Sequence, residues 1–276
     1  MGAPVRPVKR LGQHFMTDPS IAQRIVDVLH LTADDEVLEI GPGAGALTAP
    51  LMESPAKRIT AVEIDPRFAG LLEARFSGDD RFTLIQADFL KTDPTRFVHE
   101  NLKVRVIGNL PYVVTSPILF RILNNHSLFR DATFTVQREV AERLVSLPGS
   151  KIYGVPSVLF QAFSHLRICF HISRHCFNPV PAVESAVVHI TFHDAPLFPI
   201  TDERFFIQLV KTAFGQRRKM LKNNLKSLIS EGVSPESLPV DLTKRPESLT
   251  VDQFVQLSNV LAGQQHRRML GRDDVF

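Results

Sequence analysis

As far as about residue 193, short runs rich in β-branched residues alternate with stretches of helical period. Glu36–Ile40 (EVLEI) reads as a buried strand, followed by a glycine-rich turn, and Ala46–Met52 reads as the start of a helix. A second strand is expected at Arg58–Ile64, after which Pro66 opens a helix at its first turn. Phe82–Gln86 and Val104–Ile107 follow as strands, the latter ending at Gly108-Asn109. A helix at Ser116–Asn124 starts with Pro117, and a fifth strand at Ala132–Val136 runs into a helix through Leu144. Arg167–Ile172 and Ala186–Phe192 have no helix-length segment between them and are expected to pair antiparallel. This alternation predicts an α/β fold: a doubly wound, mostly parallel sheet with helices on both faces and an antiparallel edge pair.

Beyond a linker marked by Asp194-Ala195-Pro196 and Pro199, the pattern is helical. Helices are expected at Asp202–Phe214, Lys219–Ile229 and Ser248–Ala262, the last with Leu249, Phe254 and Leu257 on one face. The expected organisation is therefore a sheet domain over residues 1–195 and a small all-helical C-terminal domain over 196–276, with a polar, disordered tail from Gly263.

Composition narrows the class. With 44% hydrophobic and 22% charged residues among 276, the chain is an ordinary globular one. A net charge of +3 says little, but its distribution says more. Met1–Thr17 carries Arg6, Lys9 and Arg10 with no acid, and Arg204–Ser230 carries seven basic residues with no acid. Such single-sign blocks suit a phosphate-bearing partner. The two cysteines, Cys169 and Cys176, form no CxxC pair, and no His/Cys spacing resembles a metal site, so free thiols and no bound metal are expected. The start lacks the apolar core of a signal peptide, and no apolar run reaches the roughly 18 residues of a membrane span. A cytoplasmic protein is expected.

The strongest local motif is Glu39-Ile-Gly-Pro-Gly-Ala-Gly45, between an expected strand and an expected helix. Its glycines Gly41, Gly43 and Gly45 let the backbone turn tightly and approach a ligand, but their GxGxG spacing is not the GxGxxG of dinucleotide sites. Two more acids stand at strand ends. Glu63 closes the second strand, just before Ile64, and can accept hydrogen bonds from ribose hydroxyls. Asp88 follows the third strand and can accept from an adenine amine, with Phe89 beside it as apolar surface. Each acid alone reads as a surface residue. Three at the carboxyl ends of successive strands face one crevice and specify an adenosine-bearing ligand without a phosphate cradle. This constellation resembles the Rossmann-like class I S-adenosylmethionine-dependent methyltransferases. The resemblance implies a glycine loop under the methionine part, Glu63 on the ribose and Asp88 on the adenine.

Asn109-Leu-Pro-Tyr112 follows the fourth strand and looks like the NPPY/NLPY motif of methyltransferases acting on adenine amines. That amine is a poor nucleophile because its lone pair is delocalised into the ring. Acceptors aimed at its hydrogens, the Asn109 side-chain oxygen and the Leu110 carbonyl, would draw the nitrogen toward tetrahedral geometry. Pro111 fixes φ and so the direction of that carbonyl, and Tyr112 can stack on the base. No strong base is needed, because the proton can leave to water after transfer. Phe177, in the proline-stiffened Phe177–Ser185 loop, is the candidate second ring of an aromatic clamp on a flipped base.

Across nearly the whole chain the sequence is similar to the KsgA-type ribosomal RNA adenine dimethyltransferases. The matching segments are Lys9–Met16, Glu39–Thr48, Ala61–Asp65, Gln86–Asp88, Asn109–Ile118, Gln137–Arg143, Tyr153-Gly154 with Ser157-Val158, Phe177–Ser185, Phe214–Lys219 and Arg245-Pro246. The resemblance implies S-adenosylmethionine as cofactor and dimethylation of two adjacent adenines near the 3′ end of 16S RNA, during small-subunit assembly. It implies a monomer that meets a partly assembled subunit. It places Gln13, His14 and Met16 near the methionine end of the cofactor, although His14 stands where many members carry Asn. Arg217, Arg218, Lys219, Lys222 and Lys226 would supply attraction to RNA phosphates. Three other readings remain: a macrolide-resistance methyltransferase of large-subunit RNA, a non-catalytic assembly factor on the same fold, and a nicotinamide-dependent oxidoreductase, which the glycine spacing disfavours.

Overall fold

A computed structural model of the chain describes residues 14–98, 103–194, 197–229 and 234–273. A two-residue strand, β1 (Phe15–Met16), precedes α1 (Pro19–Asp27), β2 (Glu36–Ile40), α2 (Thr48–Glu53), β3 (Arg58–Glu63), α3 (Pro66–Phe76) and β4 (Phe82–Gln86). Then come β5 (Val104–Asn109), α4 (Thr115–Asn124), β6 (Phe129–Gln137), α5 (Arg138–Leu144), α6 (Val155–Phe163), β7 (Ser164–Ile172), β8 (Phe177–Asn178) and β9 (Ser185–Phe192). The last helices are α7 (Glu203–Ala213), α8 (Leu221–Asn224) and α9 (Val251–Asp273).

Seven strands form one sheet in the order β4-β3-β2-β5-β6-β9-β7. The pairs β4·β3, β3·β2, β2·β5 and β5·β6 are parallel, and β9 runs antiparallel to β6. Every residue of β2 is buried, Glu36 and Glu39 included, as befits a strand between two neighbours and covered on both faces, whereas only Phe82 of the edge strand β4 is buried. The chain leaves β2 toward β3 on one side and later reaches β5 on the other. The order reverses there, and the carboxyl ends of β2, β3, β4 and β5 open on one rim.

Helix starts follow from caps. Asp65 accepts from the Arg67 N–H with Pro66 in the first turn of α3, and buries Phe68 and Leu72 below it. Asp18 likewise accepts from Ser20 and Ile21 with Pro19 in the first turn of α1, a helix the periodicity did not predict. Each cap is worth roughly 0.5–2 kcal/mol.

The chain divides into two compact units, one running to Ala141 and including His165–Phe192, the other Glu142–Ser164 with the chain from His193 onward. The second unit thus takes in α6, which the sequence division had placed with the sheet. Within it Phe163 meets Phe206 edge-on at 6.0 Å, Tyr153 meets Phe214 at 6.2 Å, and the Gly149 N–H donates to the Glu247 carbonyl. The helix expected over Lys219–Ile229 is a single turn, α8. Its first N–H groups, of Leu221 and Lys222, donate to the carbonyls of Lys244 and Leu242, and the Asn224 side chain turns back to the Ala213 and Gln216 carbonyls. The last helix does not stop at Ala262 but continues to Asp273, through the tail expected to be disordered. Among the described residues no helix is long and apolar enough to cross a membrane.

Candidate active site at the carboxyl ends of the strands

A pocket of about 190 Å³ opens on the rim of the first unit's sheet. The parallel register builds it. Glu63 lies opposite Gln86 and Ile40 opposite Val62, so the residues that follow each strand emerge side by side. His14, Met16, Glu39, Gly41, Gly43, Glu63, Ile64, Asp88, Phe89, Asn109, Leu110, Pro111, Tyr112 and Phe177 all line it, as the sequence had grouped them. Gln13 lies outside the described residues. Gly45 is not in the lining: a Cβ there would meet Leu72 at 3.1 Å, so this glycine serves packing against α3.

Gly43 takes φ +54°, and a Cβ on it would stand 3.0 Å from the Phe15 ring. This turn aims the Gly43 N–H at the Glu63 Oε2, 2.9 Å away, while the Asp65 N–H donates to Oε1 at 2.8 Å. Burial pushes the Glu63 carboxyl up, against those two N–H bonds. Glu39 is 1% exposed and accepts from the Thr48 hydroxyl at 2.7 Å. Burial drives its carboxyl up to about 8, and neighbouring Glu63 adds to the rise. Asp88 accepts from the Leu90 N–H and lies 3.7 Å from the Lys91 ammonium, with Phe89 stacked on Phe97. Three carboxyl groups and no Lys or Arg line the pocket among the described residues. Such a lining rejects a polyphosphate and accepts hydroxyls, amines or a cation.

Asn109 ends β5. The preceding Gly108 leaves no room for a side chain, because a Cβ would meet the Ile40 carbonyl at 2.8 Å. The Asn109 amide nitrogen donates to the His14 main-chain carbonyl at 3.0 Å, which leaves Oδ1 as the group free to accept. The Leu110 N–H donates to the Thr135 carbonyl, and the buried Thr115 hydroxyl closes the turn on the Pro111 carbonyl at 3.0 Å. The Tyr112 hydroxyl meets Ser185 Oγ at 2.7 Å, and burial raises its phenol. Thr115, Ser185 and Phe15 were not foreseen as supports.

Phe177 corrects an expectation. It lies in a strand, not a loop: β8 pairs with β1, Met16 against Phe177, and its ring is 2% exposed within the core while also lining the pocket. In the second unit Arg218, Lys219, Lys222 and Lys226 are exposed, whereas Arg217 is half-buried and donates to the Ser150 carbonyl at 3.2 Å.

A family model described as "Ribosomal RNA adenine dimethylase" matches residues 6–263. A protein of Pseudomonas aeruginosa named "Ribosomal RNA small subunit methyltransferase A" is 40% identical over 258 residues, 93% of this chain and 95% of the relative. One of the same name from Bacillus pumilus is 37% identical over 92% of this chain and 90% of its own. Among solved structures, a dimethyladenosine transferase from Plasmodium falciparum superposes with TM-score 0.76 at 23% identity, covering 90% of this chain and 98% of that one. The 23S rRNA methyltransferase ErmE gives 0.65 at 25% identity, covering 90% and 99%. With a family match that spans both units and relatives aligned nearly end to end, the chain belongs to the ribosomal RNA adenine dimethylase family.

Proposed function

We propose that the chain transfers methyl groups from S-adenosylmethionine to the N6 amines of two adjacent adenines near the 3′ end of small-subunit ribosomal RNA. The carrying observation is the orientation of Asn109: its amide nitrogen is held by the His14 carbonyl, so its oxygen is left for the acid-lined pocket. S-adenosylmethionine, when bound, supplies an electrophilic methyl group on a sulfonium, and a lining of carboxylates suits that charge. Glu63 would hold the ribose hydroxyls and Asp88 the adenine amine, and the Gly41–Gly43 loop with His14 and Met16 would hold the methionine part. Asn109 Oδ1 and the Leu110 carbonyl accept from the target amine and draw its lone pair out of the ring. Pro111 fixes that carbonyl, Tyr112 stacks on the base, and Phe177 closes the wall behind it. Orientation of this kind is worth roughly 7–11 kcal/mol.

The partner is a partly assembled small subunit, met in the cytoplasm by a monomer. Arg218, Lys219, Lys222 and Lys226 supply phosphate attraction, while Arg217 braces the Ser150 turn. The relatives at 37–40% identity bear small-subunit names, which favours this substrate over the large-subunit RNA of the more distant ErmE.

The test is to incubate the protein with labelled S-adenosylmethionine in parallel with small subunits lacking the adenine dimethylations and with unmethylated large-subunit RNA, then map the label. Dimethyladenine at the adjacent pair is expected, with the rate reduced by about a hundredfold or more in Asn109→Ala. Label confined to large-subunit RNA would move the substrate. No label despite subunit binding would replace the enzyme with an assembly factor.

A further inference from the structure

His14 touches both groups given reacting roles. Its main-chain carbonyl accepts from the Asn109 amide at 3.0 Å. Its ring lies 5.3 Å from the Tyr112 ring, centroid to centroid, at an interplanar angle of 32°. Its Nδ1 stands 2.6 Å from the Pro179 carbonyl; since a carbonyl only accepts, Nδ1 carries the hydrogen. Pro179 follows β8, and β8 is paired with β1, which begins at the residue after His14. The imidazole therefore staples the two strands just beyond the end of their pairing, at the pocket wall.

We propose that His14 is a positioning residue, one that fixes the Asn109 amide and the Tyr112 ring for methyl transfer. An asparagine amide turned by 180° presents its NH₂ to the target amine, donor against donor. The His14 carbonyl selects the opposite orientation, and the bond from Nδ1 to Pro179 holds that carbonyl in place. The ring face limits the swing of Tyr112, whose hydroxyl is tied at its other end to Ser185. Any residue supplies a main-chain carbonyl; the staple and the ring face come from the imidazole. This inference rests on the proposed reaction, and it gives His14 a role beyond its place beside the methionine part of the cofactor.

The chain has two tyrosines, Tyr112 and Tyr153, and no tryptophan, so tyrosine-labelled NMR gives one reporter at the site and one control in the second unit. In His14→Ala, kcat is expected to fall about ten- to a hundredfold. The Kd for S-adenosylmethionine by calorimetry should change by a smaller factor than kcat, because the lost constraint acts on the groups that face the target amine. Tyr112 signals should move and those of Tyr153 should not. In an Asn109→Ala background the same change should cost less, because the part of its effect that passes through the Asn109 amide is already lost and only the part through Tyr112 remains. His14→Gln, which can still donate to Pro179, should recover part of kcat. A weakened cofactor with unchanged kcat, or Tyr112 signals and kcat both unmoved, would overturn the proposal. If Tyr153 also moves in His14→Ala, the Gln variant decides on the same criteria. If the wild type labels no RNA, the reaction reading fails. The NMR arm then still asks whether His14 holds Tyr112, and still Tyr112 signals would overturn that.

Discussion

At the amino ends of β2, β5 and β6 the sheet buries Asp35 and Asp131; at the carboxyl ends of β2 and β3 it buries Glu39 and Glu63. The first pair is supplied with a cation from within. Arg105 donates to Asp131 through Nε at 3.1 Å and Nη2 at 2.6 Å, and to Asp35 through Nη1 at 3.2 Å, with Arg130 also on Asp35. Burial alone would push the Asp35 carboxyl up, but the hydrogen bonds from Thr32 and the Arg105 charge outweigh it and hold it below its ordinary value. The second pair has a hydroxyl and main-chain N–H groups as partners and no cation among the described residues, and burial wins in both carboxyls. A chain that completes its own charges at one end and leaves carboxylates without a cation at the other has built framework at the first and a ligand site at the second.

The largest expected effect would break the completed end. Arg105→Met leaves buried Asp131 without its arginine and Asp35 with only the exposed Arg130, and should cost about 3–5 kcal/mol in urea unfolding. Because the folded Asp35 carboxyl lies below its unfolded value, its stabilisation is present above the ordinary carboxylate range and lost as pH falls. A midpoint unchanged by the substitution would show that the cluster is not framework.

Glu39→Gln probes the other end and has the opposite sign. The folded carboxyl sits at about 8 against 4.5, so its favourable contribution is full below about 4.5 and is lost as pH rises through about 8. Glutamine keeps an acceptor for Thr48 and cannot ionise. The variant should therefore lose less stability than the wild type between pH 5 and 8, gaining on the order of 1–3 kcal/mol relative to it by pH 8. Parallel pH curves for the two proteins would mean that Glu39 is already ionised and has its own cation, erasing the contrast between the ends.

Much of this was legible in the sequence because it is local. EVLEI reads as a doubly covered strand from its own residues, and an acid just after a strand must emerge at that strand's carboxyl end. What escaped joins distant positions. Tyr112 meets Ser185 across 73 residues and Asn109 meets His14 across 95, and no spacing rule reaches that far. Phe177 was misread for the same reason: prolines marked a loop, while its pairing with Met16 made it a buried strand residue. The overlong helix at Lys219–Ile229 failed because its first N–H groups found partners at Leu242 and Lys244, outside any local pattern. α1 is marked by a local signal rather than by periodicity, the capping Asp18 before Pro19 in the first turn.

The smallest expected effect falls on Glu63, and it separates a ligand's requirement from the fold's. Each of its oxygens already accepts one main-chain N–H, and each keeps a lone pair for a ligand hydroxyl. Glu63→Gln sets an NH₂ against one of those N–H groups and removes one acceptor from the pocket. The Kd for S-adenosylmethionine should rise about tenfold, near the low end of the roughly 1.5–3 kcal/mol of one hydrogen bond to a charged group. The urea midpoint should fall by less than in Arg105→Met, since no uncompensated charge is left behind, and kcat at saturating cofactor should hold. If affinity is unchanged while stability falls as far as in Arg105→Met, then Glu63 is framework too, a brace between Gly43 and Asp65, and the ligand's hydroxyls are held elsewhere on the rim.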